Sequence, residues 1–281
     1  MGQVKEQNRG RWGMDSKKVV LGIVGSPNKQ GRTNELVRAV LDGAARAGAE
    51  TELVQMADHV VAACRDCLSR VCQENLKCTF GDEAFEYLSR KVLDCGALVL
   101  GTPVYFWDTT GMVKYFILKM FRVYASSAPL KGLPALGITV AGMTGNGLIS
   151  GLRPVYHFFQ IMQMRPLEPL PATRFHFDLA LRRAGELGAL LAPMARRRNS
   201  FASREELLLY YDSLPYLNLS RAGERRLLAD ITTMALPPDR RSDIALGLVR
   251  ADALSAAGRP LESMAEIASV YDAGVKDFDG K

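Results

Sequence analysis

The sequence predicts an α/β fold: an open, doubly wound sheet of parallel strands between helices, followed by an all-helical C-terminal extension. Three observations predict it. Short apolar runs at residues 19–24, 97–100 and 134–140 have the composition of strands buried on both faces. Each is followed by a polar or glycine-rich loop and then by apolar residues at helical spacing, the alternation that builds a parallel sheet. Past about Pro171 strand signals stop while helix signals continue.

The elements follow in order. After the first strand, a loop of Gly, Ser, Pro and Asn leads into Leu36, Val37, Val40, Leu41 and Ala44, a helical stripe closed by Gly48. Residues 51–56 alternate polar and apolar, as an edge strand does. Phe85, Leu88, Val92 and Leu93 predict a helix before the strand at 97–100, which ends at Thr102 and Pro103. A helix over 111–121 carries Val113, Phe116, Ile117 and Met120 on one face. The strand at 134–140 runs into Ala141-Gly142-Met143-Thr144-Gly145-Asn146-Gly147, and an apolar helix is expected over 152–164. Residues 166–177 contain three prolines and read as a linker. The expected division is a tail at 1–17, a ligand-binding domain at 18–170 and a helical extension at 171–281. In the extension, Ser203 to Glu206 and Ser263 to Glu266 fit the capping box, and a hairpin of helices is expected around Gly258 and Pro260. No second copy of that hairpin recurs at a fixed period.

With 281 residues and 48% hydrophobic content the chain can bury a sizeable core. A net charge of +6 favours anionic ligands in a general way, and the basic residues lack interleaved aromatics, so nucleic acid is not an expected partner. No apolar run is long enough to span a membrane. The first fifteen residues are polar without an apolar middle, unlike a secretory signal, and read as a disordered tail. Five cysteines without such a signal suit a reducing compartment, so the expected location is the cytoplasm.

Two segments carry chemistry. The loop after the first strand leaves helix amides free to meet a phosphate, with Ser26, Thr33 and Asn34 offering hydrogen bonds and Arg32 offering charge. It matches neither G-x-G-x-x-G nor the P-loop, and a polar turn that binds nothing stands as the alternative. The second segment is Cys64, Cys67, Cys72 and Cys78, spaced C-x2-C-x4-C-x5-C. Four thiolates in one loop suit a [4Fe-4S] cluster, with a four-cysteine zinc site or free redox-active thiols as alternatives. Arg65, Arg70 and Lys77 would offset the negative charge of such a site. Cys95 precedes a buried strand and reads as a core residue. His59, His157 and His176 form no ligand-like pair, which argues against a histidine metal site or a catalytic triad. Arg196-Arg197-Arg198 reads as a solvated basic face, with an anionic partner or a nicotinamide-nucleotide phosphate as the minor reading.

Gly25-Ser26-Pro27 followed by Gly31-Arg32-Thr33 resembles the G-S-P-R-x-G-x-N-T loop of the NADPH-dependent FMN reductase family, a branch of the flavodoxin-like flavoproteins. Pro103-Val104-Tyr105, with Gly111 and Lys114 downstream, resembles that family's second signature, P-V-Y-x-x-x-x-x-G-x-x-K. The cysteines between the two are similar to the compact cluster of the iron-sulfur flavoproteins, although the middle gap here is four residues rather than the usual two. The resemblance covers residues 18–164 and implies a flavodoxin-like three-layer αβα fold binding FMN. Ser26, Asn28, Arg32, Thr33 and Asn34 would hold its phosphate, with Asn28 and Arg32 standing where the family has Arg and Asn. Pro103, Val104, Tyr105, Phe106 and Trp107 would lie on one side of the flavin ring, and Gly142, Thr144 and Gly145 on the other. Cys64, Cys67, Cys72 and Cys78 would hold the cluster. The implied activity is electron transfer between NAD(P)H or a redox partner, FMN and the cluster, with a small molecule or a protein as donor or acceptor and no side chain marked as acid or base. Homodimers or homotetramers are implied, with the extension enlarging the interface or covering the flavin. Two rival functions remain: an NAD(P)H-dependent flavin or quinone reductase without the cluster, and a redox sensor binding a protein through its helical extension.

Overall fold

The computed structural model describes residues 19–65, 67 and 71–280; the expected tail and Arg70 lie outside them. The chain opens with β1 (Val19–Val24), α1 (Arg32–Arg46) and β2 (Glu50–Gln55). A short helix α2 (Val71–Asn75) and then α3 (Glu83–Asp94) lead to β3 (Ala97–Pro103) and α4 (Gly111–Tyr124). β4 (Pro134–Ala141), α5 (Leu148–Ile161), β5 (Arg165–Pro166), β6 (Leu170–Thr173) and α6 (Phe177–Met194) follow. All ladders are parallel, in the order β2-β1-β3-β4, with β5 and β6 both pairing with β4. Counting β5 and β6 as one interrupted strand, this is the flavodoxin-like order 2-1-3-4-5.

The apolar strand runs are continuous because both faces of the sheet are covered. Val20 and Val24 of β1 and Val99 of β3 face Val37, Val40, Leu187 and Leu191 of α1 and α6. Leu21, Ile23, Leu98 and Leu100 point the other way, into Phe85, Phe116 and Phe158 of α3, α4 and α5. β2 is the edge strand: Glu50 and Thr51 are exposed and only Val54 is buried, in keeping with its alternation. Among the described residues no helix is long and apolar enough to cross a membrane.

The structure differs from the expected domain division at residues 166–177. That stretch is no linker: it supplies β5 and β6, with Ile138 to Ala141 of β4 paired to Leu170 to Thr173. The prolines interrupt the strand into two pieces at the sheet edge, where a missing N–H leaves no ladder bond unmade. The boundary expected at 170/171 therefore cuts through the sheet. The first helix beyond it, α6, belongs to the outer layer and lies backbone to backbone on α1. A Cβ at Gly43 would stand 2.0 Å from the Gly185 carbonyl oxygen, and one at Gly188 would stand 1.9 Å from that of Val40.

Four helices complete the chain: α7 (Arg204–Ser213), α8 (Arg221–Thr233), α9 (Pro238–Ala256) and α10 (Pro260–Asp279). α7 starts at the expected cap, where Ser203 Oγ accepts from the Glu206 amide at 3.1 Å. The other expected cap is absent. Pro260 opens α10 three residues earlier, so Ser263 lies inside the helix and donates to the Ala251 carbonyl of α9 at 2.7 Å. α9 and α10 form the expected hairpin, packed with α8 around Ala229, Leu248, Ala251, Ile267 and Val270.

Candidate active site

The carboxyl ends of β1, β3 and β4 open into one cleft of about 610 Å³. In doubly wound sheets this is where ligands bind, because the loops leave the sheet there in opposite directions. Three loops build it. The first supplies Ser26, Asn28, Gly31, Arg32 and Thr33, the second Pro103, Val104, Tyr105, Phe106 and Trp107, and the third Gly142, Met143, Thr144 and Asn146.

The first loop is folded by its own side chains. Ser26 Oγ accepts from the Asn28 amide at 3.1 Å, and Asn28 Oδ1 from the Gln30 amide at 3.0 Å. Gly31 begins α1 without a capping side chain. The first-turn amides of Arg32 and Thr33 thus have no intrahelical carbonyl to bind, and both residues line the cleft at the positive end of the helix dipole. The Arg32 guanidinium lies over the Phe177 ring, 5.3 Å from its centroid. Lys29 pairs with Asp58 instead of entering the cleft.

The second loop is a tight turn. Tyr105 and Asp108 exchange backbone hydrogen bonds of 2.9 and 3.1 Å, with Phe106 and Trp107 between them at φ of +50° and +59°. Bulky residues seldom occupy this left-handed region, and each does so at a cost of about 1–2 kcal/mol. The turn holds because its base is cross-braced. Thr109 Oγ1 donates to Thr102 Oγ1 at 2.7 Å, Thr110 Oγ1 donates to the Gly25 carbonyl at 2.7 Å, and Lys114 binds Asp108. The strain leaves Phe106 91% exposed at the cleft rim. Replacing Phe106 by glycine is expected to stabilise the protein against urea by about 0.5–1 kcal/mol, since the strain goes and little burial is lost.

The third loop has Met143, Gly145 and Gly147 at positive φ. Gly147 must be glycine on a second count, because a Cβ there would meet the Trp107 Cα at 2.8 Å.

Two sequence-predicted residues do not line the cleft. Asn34 is buried, and its carboxamide oxygen accepts from Gln55 at 2.8 Å and Arg38 at 3.2 Å. Gly145 closes a turn onto the Gly142 carbonyl and packs toward Thr173 and Leu228. The cleft adds Gly31, Val140, Met143 and Asn146, which sequence reasoning missed. Among the described residues, the extension of the same chain contributes no lining residue to this cleft.

A second, smaller cavity of about 70 Å³ lies on the α3/α4 side of the sheet. Cys64, Cys67, Cys72 and Cys78 all line it, together with Arg65, Lys119 and Arg122. None of these thiols is in a disulfide. Cys72 donates to the Arg122 carbonyl at 3.4 Å, and the Arg122 guanidinium donates to the Cys67 carbonyl at 3.1 Å. The donor set fits a thiolate-bound group, although among the described residues no three His, Cys, Asp or Glu side chains converge closely enough to hold a metal ion. Lys119 is pinned behind the thiols by Asp82; both side chains are buried. Cys95 stands apart in the core, where burial pushes its thiol up to about 12. His157 and His176 are held below the usual imidazole range by burial, and neither lines the cleft. Arg198 does not belong to a solvated face: it donates to the carbonyls of Pro129 and Leu93.

Residues 19–176 match the family model described as NADPH-dependent FMN reductase. An iron-sulfur flavoprotein of Methanocaldococcus jannaschii is 30% identical over 145 residues, 52% of this chain and 73% of the relative. One of Archaeoglobus fulgidus is 32% identical over 112 residues, 40% of this chain and 49% of the relative. Among solved structures, a flavone reductase is similar with a TM-score of 0.51 at 17% identity, covering 67% of this chain and 69% of that one. RosB, solved with a bound 8-demethyl-8-formylriboflavin-5'-phosphate intermediate, is similar with a TM-score of 0.52 at 16% identity, covering 68% and 84%. At such identities the structural likeness speaks for the fold.

Proposed function

The chain belongs to the NADPH-dependent FMN reductase family, in the branch of the iron-sulfur flavoproteins, and from that premise we propose that its cleft holds FMN and its cysteine cavity a [4Fe-4S] cluster. The protein is an FMN-dependent oxidoreductase. The proposed activity is electron transfer between NAD(P)H or a redox partner, the flavin and the cluster. One observation carries the reading: three loops meet at the carboxyl ends of β1, β3 and β4 around a single cleft with free helix amides at one end and aromatic side chains at the other.

Bound FMN supplies exchange of either a hydride or single electrons, and a cluster supplies single-electron exchange. This chain's residues supply the rest. The amides of Arg32 and Thr33, with the hydroxyls of Ser26 and Thr33, suit a phosphate. Val104 to Trp107, with Gly142, Met143, Thr144 and Asn146, line the part of the cleft that would take the flat ring. Gly142 leaves its wall open, since a Cβ there would meet nothing within 4 Å. Backbone amides at such a position can approach the ring and stabilise negative charge on it. On the other cavity, Arg65, Lys119 and Arg122 place positive charge beside the thiols.

The proposed assembly is a homodimer or homotetramer in the cytoplasm. Leu118 and Phe121 of α4 and Ile161 of α5 remain exposed around a groove of about 320 Å³, which favours a second copy as the covering surface. Anaerobic purification followed by an absorption spectrum, iron analysis and light scattering tests the whole reading. Flavin bands with about four irons per chain in an oligomer are expected. Flavin without iron would leave the plain flavin or quinone reductase, which the separated thiols favour. A protein that takes up no FMN and does not turn over NAD(P)H would overturn the enzyme reading and leave a redox sensor.

A further inference from the structure

The third cleft loop is tied to the helical extension at several points. Residues 142–147 hold three left-handed positions, Met143, Gly145 and Gly147. Glycine enters that region freely, so the strained residue is Met143, and a non-glycine residue keeps such a conformation only where its surroundings over-determine it. The surroundings here are α8 and α10. Glu224 of α8 is 3% exposed, and its Oε1 accepts from the Ile149 amide at 3.1 Å. Ile149 lies in the first turn of α5, directly after the loop, and Gly147 as the N-cap has no side chain to offer. Glu224 thus caps α5 from 75 residues away. Its other oxygen accepts from Arg221 at 2.6 Å. Tyr271 of α10 donates its hydroxyl hydrogen to the Thr144 carbonyl at 2.7 Å. Arg174 donates to the Met143 carbonyl at 2.7 Å and is itself held by Asp279 at the end of α10. Leu228 of α8 closes on Gly145, where an added Cβ would lie 3.0 Å from its Cδ2.

We propose that Glu224 and Tyr271 are positioning residues for the cleft: through them the C-terminal helices fix the loop that lies against the flavin ring, without touching the ligand. The inference rests on the reading of the cleft as the FMN site. It gives the extension a function that neither a covering lid nor an enlarged interface requires. The contacts fall on the backbone carbonyls of Met143 and Thr144, directly after Gly142, and on the amide of Ile149 at the start of α5, so they set where the loop amides point.

Two measurements on the full chain test it: amide hydrogen exchange of residues 142–149 in FMN-free protein, and FMN affinity from the quenching of flavin fluorescence. Y271F removes one hydroxyl and keeps the ring on Phe175. E224A removes the remote cap, and E224Q retains an acceptor oxygen. Y271F and E224A are expected to speed exchange in the loop and to weaken FMN binding about three- to tenfold, the size of a lost cap or hydrogen bond. E224Q should recover most of the loss, and the melting temperature of Y271F should stay close to that of the wild type. If E224A fails to fold, Y271F and E224Q decide. Unchanged exchange in Y271F overturns the proposal, as does a loosened loop that binds FMN as tightly as the wild type. A wild-type protein that takes up no FMN overturns the flavin reading and this inference with it, and is seen before any variant is made.

Discussion

Replacing Asp82 by alanine is expected to destabilise the protein by about 4 kcal/mol, measured by urea unfolding of the FMN-free chain. Asp82 does three jobs at once. Its Oδ1 accepts from the Phe85 amide at 3.0 Å and caps α3. Its Oδ2 accepts from the Ala62 amide at 2.9 Å, at the start of the thiol loop, and from Lys119 of α4. The Lys119 side chain is only 5% exposed, so D82A strands an ammonium group in the interior. Stranding a buried charge costs more than the pair contributed, and this sets the size of the effect. Removing the charge as well, in D82A/K119M, should therefore recover about half of the loss, because the cap and the Ala62 contact stay broken. D82N should sit between, keeping an acceptor for α3. The pH dependence has a definite sign. Burial pushes the Asp82 carboxyl up, but the hydrogen bonds from Lys119, Phe85 and Ala62 outweigh it and hold the group below its ordinary value of 3.8. A depressed carboxylate stabilises the fold fully above its unfolded value, and this contribution fades as pH falls through the lower folded value. The stability gap between wild type and D82N should accordingly narrow below about pH 4. A gap that stays constant from pH 7 down to pH 3 would refute the assignment.

The sequence showed the cleft better than it showed the molecule around it. Val19 to Val24 and Ala97 to Leu100 were readable as strands because both sheet faces are buried, which forces a continuous apolar run. Loops at the ends of such strands point to a ligand crevice whatever their motif, so most residues chosen in them line it. Asn34 lies off the cleft because, although it follows the loop in sequence, its place on α1 turns it toward Gln55 of β2. Met143 was missed because only the glycines and the threonine of its loop were weighed, yet it stands 82% exposed on the cleft wall. The fifth strand was hidden by Pro166 and Pro171, which read as breakers when position in the sheet is unknown. No periodic pattern reports a contact between Glu224 and Ile149, since long-range pairing is set by tertiary packing. Cysteine spacing placed four thiols around one cavity, but spacing alone does not specify how closely they converge.

Gly25→Ala is expected to cost about 2–3 kcal/mol and to weaken FMN binding at least tenfold, because this glycine is where the first and second cleft loops touch. Its amide donates to the Gly101 carbonyl at 2.7 Å, and its own carbonyl accepts from Thr110 Oγ1 at 2.7 Å. Thr110 caps α4, so a single residue joins the end of β1 to β3 and to the helix that follows the aromatic turn. An added Cβ would lie 2.1 Å from Val113 Cγ2 and 2.9 Å from the Gly101 carbonyl oxygen. The first clash is with a fully buried side chain and the second with backbone, so neither neighbour can yield cheaply. The loop must move instead, carrying Ser26 and the start of α1 away from Tyr105 to Trp107. Two companions separate this cause from a general glycine effect. Gly111→Ala, where a Cβ meets nothing within 4 Å, should be neutral or slightly stabilising. G25A/V113A should regain part of the FMN affinity by removing the nearer obstacle, and only part, because the Gly101 carbonyl remains. If G25A binds FMN like the wild type, the spacing between these two loops does not govern the site. If G25A/V113A binds no better than G25A, the obstruction lies at Gly101 and not at α4.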